Sequence, residues 1–359
     1  MILETLGTGS RNNVEEPLIK ELREGLRRIT PEISLLSSSL ERLPGAEALD
    51  PSEKLAVIRG LERVWHIMRL LNLLSIYFGD RIFFGGGSIL NYIYMARFRE
   101  PPRLTFDLDC SWHRKVSAKR VLLAEMIMFN KWLEETGLTL KIPMGGDRFA
   151  RIFIVEYDAE KDHFPDVLSL RVPIITRYDG RPFYEFLGLK NYRLISRLRR
   201  VFNEVLGVED AKVDYLRFEI SLNMAGAPVE EISATDIFGL EHRIRITGLG
   251  YQLASKLENK VGKHFGEDLR YAIHDILKAV LDLRLLDRID MGEVSRYIRN
   301  ADLVKENSQR NIEALLAIGR ELWNRNYHYA LVRKRYTLEE IAERIKNNIY
   351  RLITTPFPP

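Results

Sequence analysis

The sequence predicts a mixed α/β (α+β) protein with a mixed sheet at its core and a helical C-terminal domain. Short segments rich in Ile, Val, Phe and Leu, several with alternating polarity, recur between residues 82 and 247, as is typical of strands. Apolar residues at helical spacing dominate the chain before and after that region. A length of 359 residues is sufficient for two domains and a sizeable core.

Composition narrows the class of protein. A formal net charge of +4 permits nucleic-acid binding but does not argue for it. The single cysteine, Cys110, excludes an intramolecular disulfide and is typical of a reducing, cytoplasmic compartment. No stretch approaches the 18 or so apolar residues of a membrane span, and the first residues lack the pattern of a signal peptide. We therefore expect a cytoplasmic protein with no membrane partner.

Three regions are expected along the chain: an N-terminal helical extension (1–50), a central domain (51–225) and the helical C-terminal domain (226–359). Apolar residues recur at helical spacing in the extension until Pro31 interrupts them. Asp50-Pro51-Ser52-Glu53 then combines a cap, a proline at the first helical position and a glutamate at the third. This signature predicts a helix that runs from there to about Phe78.

A glycine turn follows the first predicted strand, residues 82–84. Gly85, Gly86 and Gly87 allow positive φ angles and a close approach of backbone to a ligand. Ser88 is expected to cap the helix that comes next. Because a helix N-terminus presents unpaired N–H groups and a positive dipole end, the turn is a candidate phosphate site.

The next predicted strand, residues 104–111, alternates strictly between apolar and polar side chains. Asp107 and Asp109 share its polar face, about 6.5–7 Å apart, so both can bind the same metal ions. Their hard oxygens suit Mg²⁺, with Mn²⁺ as an alternative, and Mg²⁺ usually takes one or two carboxylates plus substrate phosphates. Either motif alone is more often a loop or a solvated strand face, whereas the two in this order are more specific.

In the order strand, glycine turn, helix and Asp-x-Asp strand, the segment resembles the DNA polymerase β-type nucleotidyltransferase superfamily. Within it, Phe84-Gly85-Gly86-Gly87-Ser88 with Arg103-x-Thr105-x-Asp107-x-Asp109 looks most like the AbiE-type toxin nucleotidyltransferases. Phe84 replaces the usual lysine of that motif. The resemblance implies a polymerase β-type core, with the glycine turn, Ser88, Arg103 and Thr105 at the nucleotide.

The superfamily needs a third carboxylate, delivered from a neighbouring strand. Residues 212–222 alternate like a strand and place Glu219 on the polar face. Glu219 also stands where the family has a basic residue, an apolar residue, Asp or Glu, and Ile or Leu in succession. Asp166 and Glu156 are alternatives for this role. We expect Glu219 to act with Asp107 and Asp109 as a catalytic and metal-binding residue.

Lysines and an aspartate in the C-terminal region are further candidates. Lys256, Lys260 and Lys263 share one face of a predicted helix, a spacing most often explained by solvation. The family carries a Leu-Ala-x-Lys-Leu motif whose lysine faces the nucleotide, and Lys256 matches it. Asp275 matches the second aspartate of the family's Arg-Asp-x-x-Asp-Leu motif, while Ala272 replaces the first. Nucleotide binding by Asp275 and a purely structural role both stay open.

Three other segments carry predictions of their own. Residues 148–158 read as one strand, and residues 282–290 read as a charged turn region. The basic stretch 190–206 is either a solvated helix face or an RNA-contacting patch.

The resemblance implies metal-dependent transfer of a nucleoside monophosphate from an NTP to an acceptor hydroxyl, with release of pyrophosphate. In relatives the acceptor is RNA, notably the tRNA 3′ end, and the enzyme is the toxin of a toxin–antitoxin pair. An antitoxin protein is therefore an implied partner. The alternatives are a nucleotidyltransferase that modifies a protein or small molecule, and a catalytically idle relative that binds nucleotide or RNA as a regulatory module.

Overall fold

The computed structural model of the chain describes residues 11–113, 118–145, 148–190, 192–222 and 226–354. The fold is mixed α/β, as predicted. The α-helices are α1 (Arg11–Ile29), α2 (Ile33–Arg42), α3 (Pro51–Phe78), α4 (Gly86–Ile89), α5 (Met95–Phe98), α6 (Lys119–Glu135), α7 (Phe183–Phe186), α8 (Tyr192–Leu206), α9 (Leu249–Lys256), α10 (Leu269–Asp282), α11 (Met291–Ser295), α12 (Ala301–Ile318), α13 (Arg320–Arg325), α14 (Ala330–Arg333) and α15 (Leu338–Thr354).

The strands are β1 (Ile82–Gly85), β2 (Asp107–Trp112), β3 (Leu140–Gly145), β4 (Arg148–Ile152), β5 (Glu156–Tyr157), β6 (Val167–Thr176), β7 (Arg181–Pro182), β8 (Lys212–Ser221), β9 (Val229–Thr235) and β10 (Glu241–Thr247). Within the described ranges, eight of them form one sheet in the order β5-β6-β8-β2-β1-β10-β9, with β7 paired to β8. The β2–β8 and β1–β10 pairs are parallel and the others antiparallel, so the sheet is mixed. Strands β3 and β4 form a separate hairpin.

Helix α3 confirms its predicted start and length. The Asp50 carboxylate accepts hydrogen bonds from the Ser52 and Glu53 amides, and the Glu53 carboxylate accepts one from the Asp50 amide.

In the middle of α3, His66 is buried, and its Nε2 lies 3.1 Å from the Ile175 carbonyl oxygen. Burial lowers the pKa of His66 to about 3. This histidine is therefore a neutral core residue.

Strand β2 begins at Asp107, three residues later than the alternation predicts. The preceding backbone forms hydrogen bonds with other parts of the chain: the Leu104 amide donates to the His328 carbonyl at 2.8 Å. The Tyr92 hydroxyl lies 2.6 Å from both the amide nitrogen and the carbonyl oxygen of Thr105. These tertiary hydrogen bonds replace the strand pairing that the local pattern suggested.

The main sheet continues past residue 225, the predicted start of the helical domain. Strands β9 and β10 pair along their length, and β10 joins β1, whose Phe84 lies opposite Ile246. Strand β9 is the edge of the sheet and mostly exposed, so its sequence carries little of the apolar alternation that reveals a half-buried strand. The helical part of the C-terminal region begins at Leu249.

Residues 148–158 form two short strands in place of the single predicted one. The chain breaks at Phe153, which adopts a left-handed φ of 64° and donates its amide to the Pro173 carbonyl at 2.8 Å. As a result β4 pairs with β3 and β5 pairs with β6. Across the described residues, none of the helices is both long and apolar enough to cross a membrane.

Candidate active site

A cavity of about 610 Å³ lies where β2 and β8 face α9 and α10. Its walls include all three predicted catalytic carboxylates and several of the predicted nucleotide-binding residues. The lining residues that matter here are Gly87, Arg103, Thr105, Asp107, Asp109, Asp158, Lys161, Ser169, Arg217, Glu219, Lys256, Lys260, Asp275 and Lys278.

Two neighbouring strands bring the three carboxylates together. Asp109 lies directly opposite Glu219 in the parallel β2–β8 pair, and Asp107 precedes Asp109 by two residues on the same face. All three side chains are exposed in the cavity, whereas Leu108 and Cys110 on the other face of β2 are buried in the core. The juxtaposition follows from the alternation that both strands show in sequence.

The two alternative carboxylates lie elsewhere. Glu156 on β5 accepts a hydrogen bond from Arg171 at 3.1 Å. Asp166 is an exposed residue just before β6. Neither lines the cavity that holds Asp107 and Asp109, so Glu219 is the third carboxylate that the fold brings to this pair.

Asp109 has an electrostatically unfavourable position. Its side chain still meets solvent in the cavity, but the protein packed around it desolvates the carboxylate and raises its pKa to about 6. The neighbouring charges of Asp107 and Glu219 raise this pKa further, against the opposing effects of Lys256 and the Gly87 amide. Like charges in this arrangement are stabilised by a bound cation.

The donor set suits a Mg²⁺ ion that shares its coordination with a substrate. Among the residues that the structure describes, no group of three or more His, Cys, Asp or Glu side chains could hold a metal ion by itself. Mg²⁺ sites in phosphate-transferring proteins, however, typically use one or two carboxylates and complete their octahedron with water and phosphate. Asp107 and Asp109 fit that pattern, with Glu219 beside them.

The glycine turn packs directly against Asp109. Gly86 begins α4 with a φ of +71°, and a Cβ atom built on it would lie 1.7 Å from Asp109 Oδ2. The Gly87 amide donates a hydrogen bond to the same carboxylate. Helix α4 then continues through a π-helical turn (Leu90–Tyr94) into α5. Only glycine permits both this backbone conformation and this approach.

Ser88 does not cap the helix. The N-cap position is Gly85, and Ser88 lies inside the first turn with its side chain fully buried. Its hydroxyl donates a short hydrogen bond to the Asp107 carbonyl oxygen. Ser88 therefore ties the glycine turn to β2 at the Asp107 backbone, and its hydroxyl does not reach into the cavity as expected for a phosphate contact.

Arg103 also differs from expectation, because its guanidinium is already bonded. It is buried, and its Nε and Nη2 atoms donate to Asp282 Oδ1 and Oδ2, both at 2.8 Å. Thr105 is buried beside it, and a Cβ on Gly87 would approach both side chains. Arg103 and Thr105 thus form the wall behind the glycine turn, and Arg103 is held by an anion of the protein itself.

Asp282 is the residue that the sequence analysis missed. The predicted charged turn region begins at Asp282, which is the fully buried last residue of α10, and it continues as a 3-10 helix, Leu283–Arg288. Burial alone would raise its pKa, but Arg103 and Lys256 outweigh that effect and hold the pKa of Asp282 well below its usual range. The Asn91 side chain adds a hydrogen bond at 2.8 Å. A sequence signal exists, because Asp282 lies two helical turns after Asp275 on the same face.

Lys256 lies between the buried and the exposed acids. Its Nζ is 3.0 Å from Asp282 Oδ2, and its charge also lowers the pKa of Asp109. The predicted three-lysine face is not kept, because helical structure ends at Val261 and the Lys263 ammonium lies over the Phe265 ring at 5.5 Å. Within that set, Lys256 is the lysine whose charge acts on the pKa of Asp109.

Lys260 and Asp275 form an ion pair of 2.9 Å at the cavity wall, with Lys278 4.0 Å from the same aspartate. Burial opposes ionisation of Asp275, but its hydrogen bond from Lys260 prevails and lowers its pKa. Both side chains of the pair remain about half exposed. The pair is thus accessible to a ligand and is not a buried structural contact.

Further cations line the opposite wall. Arg217, the cross-strand neighbour of Asp107, lies 3.4 Å from the buried Asp158, and Lys161 is nearby. The basic stretch that follows residue 190 forms α8, whose apolar face is buried and whose Arg199 pairs with Asp210 at 2.9 Å. Helix α8 does not line the cavity.

Comparison with known proteins adds little to this picture. No protein-family model matches the chain, and no curated protein matches it in sequence. The crystal structure of JHP933 from Helicobacter pylori is similar over 81% of this chain and 92% of that chain, with 14% sequence identity and a TM-score of 0.42. Similarity at that level supports no conclusion about fold or activity.

Proposed function

We propose that this chain is a metal-dependent nucleotidyltransferase that transfers a nucleoside monophosphate from an NTP to an acceptor hydroxyl. One observation carries the proposal: Asp107, Asp109 and Glu219 share one face of two paired strands beside a glycine turn, within a cavity lined by lysines and arginines. Catalysis of phosphoryl transfer needs little beyond positioning and charge stabilisation, and this cavity offers both.

The carboxylates divide the work in the proposed reaction. Asp107 and Asp109 would hold Mg²⁺, which supplies Lewis-acid stabilisation of the phosphate oxygens when bound. Glu219, next to Asp109 across the strands, would accept the proton of the acceptor hydroxyl. The hydroxyl oxygen then bonds to the α-phosphorus, and the bond from that phosphorus to the bridging oxygen of the leaving pyrophosphate breaks.

Cations of the protein would neutralise the triphosphate. Lys256 is anchored at Asp282, so its ammonium is held in place. Lys260 and Lys278 share Asp275, so that one carboxylate balances only one of the two positive charges. Arg217 is the cross-strand neighbour of Asp107 and also lines the cavity. Fixed cations on several sides favour a polyanionic ligand over a neutral one.

The acceptor that we propose is RNA, with the tRNA 3′ end as the first candidate, and an antitoxin protein would be the regulatory partner. These two assignments rest on the resemblance of the glycine turn and the Asp-x-Asp strand to the AbiE-type family. Cytoplasmic location is part of the same proposal and agrees with a free, buried thiol at Cys110.

The proposal is tested by incubating the protein with each α-labelled NTP, Mg²⁺ and total RNA, followed by gel electrophoresis. We expect labelled RNA with the wild type and none with Asp109→Asn. Asp166→Asn serves as the matched control and should leave labelling intact. Label on protein would favour a protein acceptor, and NTP binding without transfer would favour a regulatory module. The absence of any NTP binding would contradict the proposal altogether.

A further inference from the structure

A second, smaller chamber of about 170 Å³ adjoins the glycine turn. It shares Asp109 and Lys256 with the large cavity and therefore borders the proposed active site. Hydroxyl and amide groups form part of its walls, together with one lysine and one carboxylate. The lining residues are Gly85, Gly86, Asp109, Ser111, Thr247, Tyr251, Gln252, Ser255 and Lys256.

The side-chain amide of Gln252 has a fixed orientation in the wall of this chamber. Its side chain is 5% exposed, and its Nε2 donates to the Thr247 carbonyl oxygen at 2.6 Å. A carbonyl oxygen can only accept, so this contact fixes which end of the amide faces Thr247. The opposite atom, Oε1, is buried and has no hydrogen-bond partner among the residues that the structure describes.

The unpaired oxygen lies close to the glycine turn. A Cβ atom built on Gly85 would be 3.8 Å from Gln252 Oε1 and 3.2 Å from Thr247 Oγ1. A buried acceptor without a partner is unfavourable, so such an oxygen favours a ligand group that donates a hydrogen bond. A phosphate oxygen carries no proton for that purpose at neutral pH, whereas a hydroxyl or an amino group does.

We propose that this chamber is a specificity subsite for an uncharged, hydrogen-bond-donating part of the nucleotide, read by Gln252 Oε1. The donor is a sugar hydroxyl or an exocyclic amino group of the base. A volume of 170 Å³ suits a single ring, while the cation-lined cavity of 610 Å³ takes the charged remainder. The inference rests on the proposed function, because it assigns part of the same substrate to a neighbouring chamber.

The test is calorimetry in Mg²⁺ with the four ribonucleoside triphosphates, their 2′-deoxy and 3′-deoxy counterparts, and analogues that lack the base amino group. Each deoxy or amino-deficient analogue forms a matched pair with its parent triphosphate. We expect the wild type to bind the parent about tenfold more tightly than one kind of analogue, because that analogue leaves the buried Gln252 acceptor unpaired. Loss of affinity in the deoxy compounds identifies a sugar hydroxyl, and loss in the amino-deficient compounds identifies the base.

In the pair that the wild type discriminates, Gln252→Leu should reduce the ratio of the two affinities to within about twofold, because leucine has no acceptor at this position. Gln309→Leu is the control, since Gln309 lies exposed on α12 and bonds only Glu313 among described contacts. If Gln252→Leu does not melt cooperatively, Ser255→Leu decides the question. This change enlarges a half-buried side chain of the chamber wall and should weaken NTP binding at least about tenfold.

Three results would overturn the inference while leaving the proposed function intact: NTP binding without preference within any pair, a preference that survives Gln252→Leu, or unchanged affinity in Ser255→Leu. A wild type that binds none of the triphosphates in Mg²⁺ would instead contradict the proposed function itself.

Discussion

At the scale of single residues, Asp109 is held where its negative charge is unfavourable. A Cβ atom on Gly86 would collide with its carboxylate, Asp107 and Glu219 lie beside it, and desolvation by the surrounding protein raises its pKa to about 6. Groups whose pKa is strongly shifted by burial and charged neighbours concentrate at functional sites. The unfavourable charge of Asp109 also lowers the free energy of unfolding at neutral pH. This effect can be tested without an activity assay.

Asp109→Asn should make the protein more stable at about pH 7.5, and the gain should shrink towards pH 4. With the carboxyl pKa raised from 3.8 to about 6, the folded state binds this proton more tightly than the unfolded state. The Asp109 carboxyl therefore makes its full contribution to the free energy of unfolding below about pH 4, and this contribution is lost as the pH rises through 6. Urea unfolding across this range measures the difference, with Asp166→Asn as the control. A gain that is independent of pH would contradict the assigned cause.

Glu219→Gln should lower nucleotide transfer by roughly 10²-fold, as for the loss of other electrostatic contacts in a transition state. The change keeps the shape of the side chain but removes the charge that would accept the proton. NTP affinity should change little, because Asp107 and Asp109 remain. Single-turnover transfer and calorimetry separate the two effects. If Glu156→Gln or Asp166→Asn abolishes transfer while Glu219→Gln does not, the third carboxylate lies on another strand.

At the scale of elements, a buried charge cluster joins four parts of the chain. Asp282 at the end of α10 contacts Arg103 before β2, Lys256 at the end of α9 and Asn91 in the π-helical turn. The Asn91 side-chain oxygen Oδ1 also accepts a hydrogen bond from the Arg103 backbone amide. Each partner comes from a different element, so the cluster fixes how the helices stand against the glycine turn.

Asp282→Asn should lower the free energy of unfolding by about 3–5 kcal/mol, because it leaves the buried Arg103 without a counter-charge. Asp275→Asn is a matched control on the same helix. Its ion pair with Lys260 is about half exposed, so we expect a loss within about 1 kcal/mol. Equilibrium urea unfolding measures both variants. Equal losses would mean that the buried cluster does not stabilise the fold as the geometry indicates.

Gly86→Ala should be more harmful than Gly188→Ala, although both glycines have a positive φ. Gly86 has a φ of +71° and Gly188 a φ of +63°, but a Cβ on Gly188 meets nothing within 4 Å. Backbone strain alone costs about 1–3 kcal/mol at either position. At Gly86 the methyl group would also displace the Asp109 carboxylate. Urea unfolding and Mg²⁺-dependent NTP binding should both be measured. We expect both variants to lose stability and only Gly86→Ala to lose NTP affinity.

The sequence predicted those elements whose own residues determine them. Helix α3 carries its cap, and β8 shows the alternation that puts Glu219 beside the aspartates. The predicted start of β2 was wrong, because the Leu104 amide bonds to the His328 carbonyl, more than two hundred residues away in sequence. The contacts of Ser88 and the burial of Asp282 likewise depend on distant partners, which local spacing does not encode.

At the scale of the whole molecule, the candidate site joins the sheet to the C-terminal helices. Asp107, Asp109 and Glu219 come from β2 and β8, whereas Lys256 and Asp275 come from α9 and α10. The segments are far apart in sequence, so the site exists only when the sheet and these helices are packed together. A ligand that contacts both should therefore stabilise the folded chain as a unit.

Saturation with NTP and Mg²⁺ should raise the free energy of unfolding by about 2.7 kcal/mol at a ligand concentration of 100 Kd, because ligand binds the folded state alone. The expected readout is an upward shift of a single thermal transition. A chelator should remove most of the shift if the carboxylates act through a cation. Asp107→Asn should do the same, since it removes a proposed Mg²⁺ ligand, whereas Asp166→Asn should keep the shift. A shift that persists in the chelator and in Asp107→Asn would mean that the lysines alone bind the triphosphate, and the metal assignment would then be wrong.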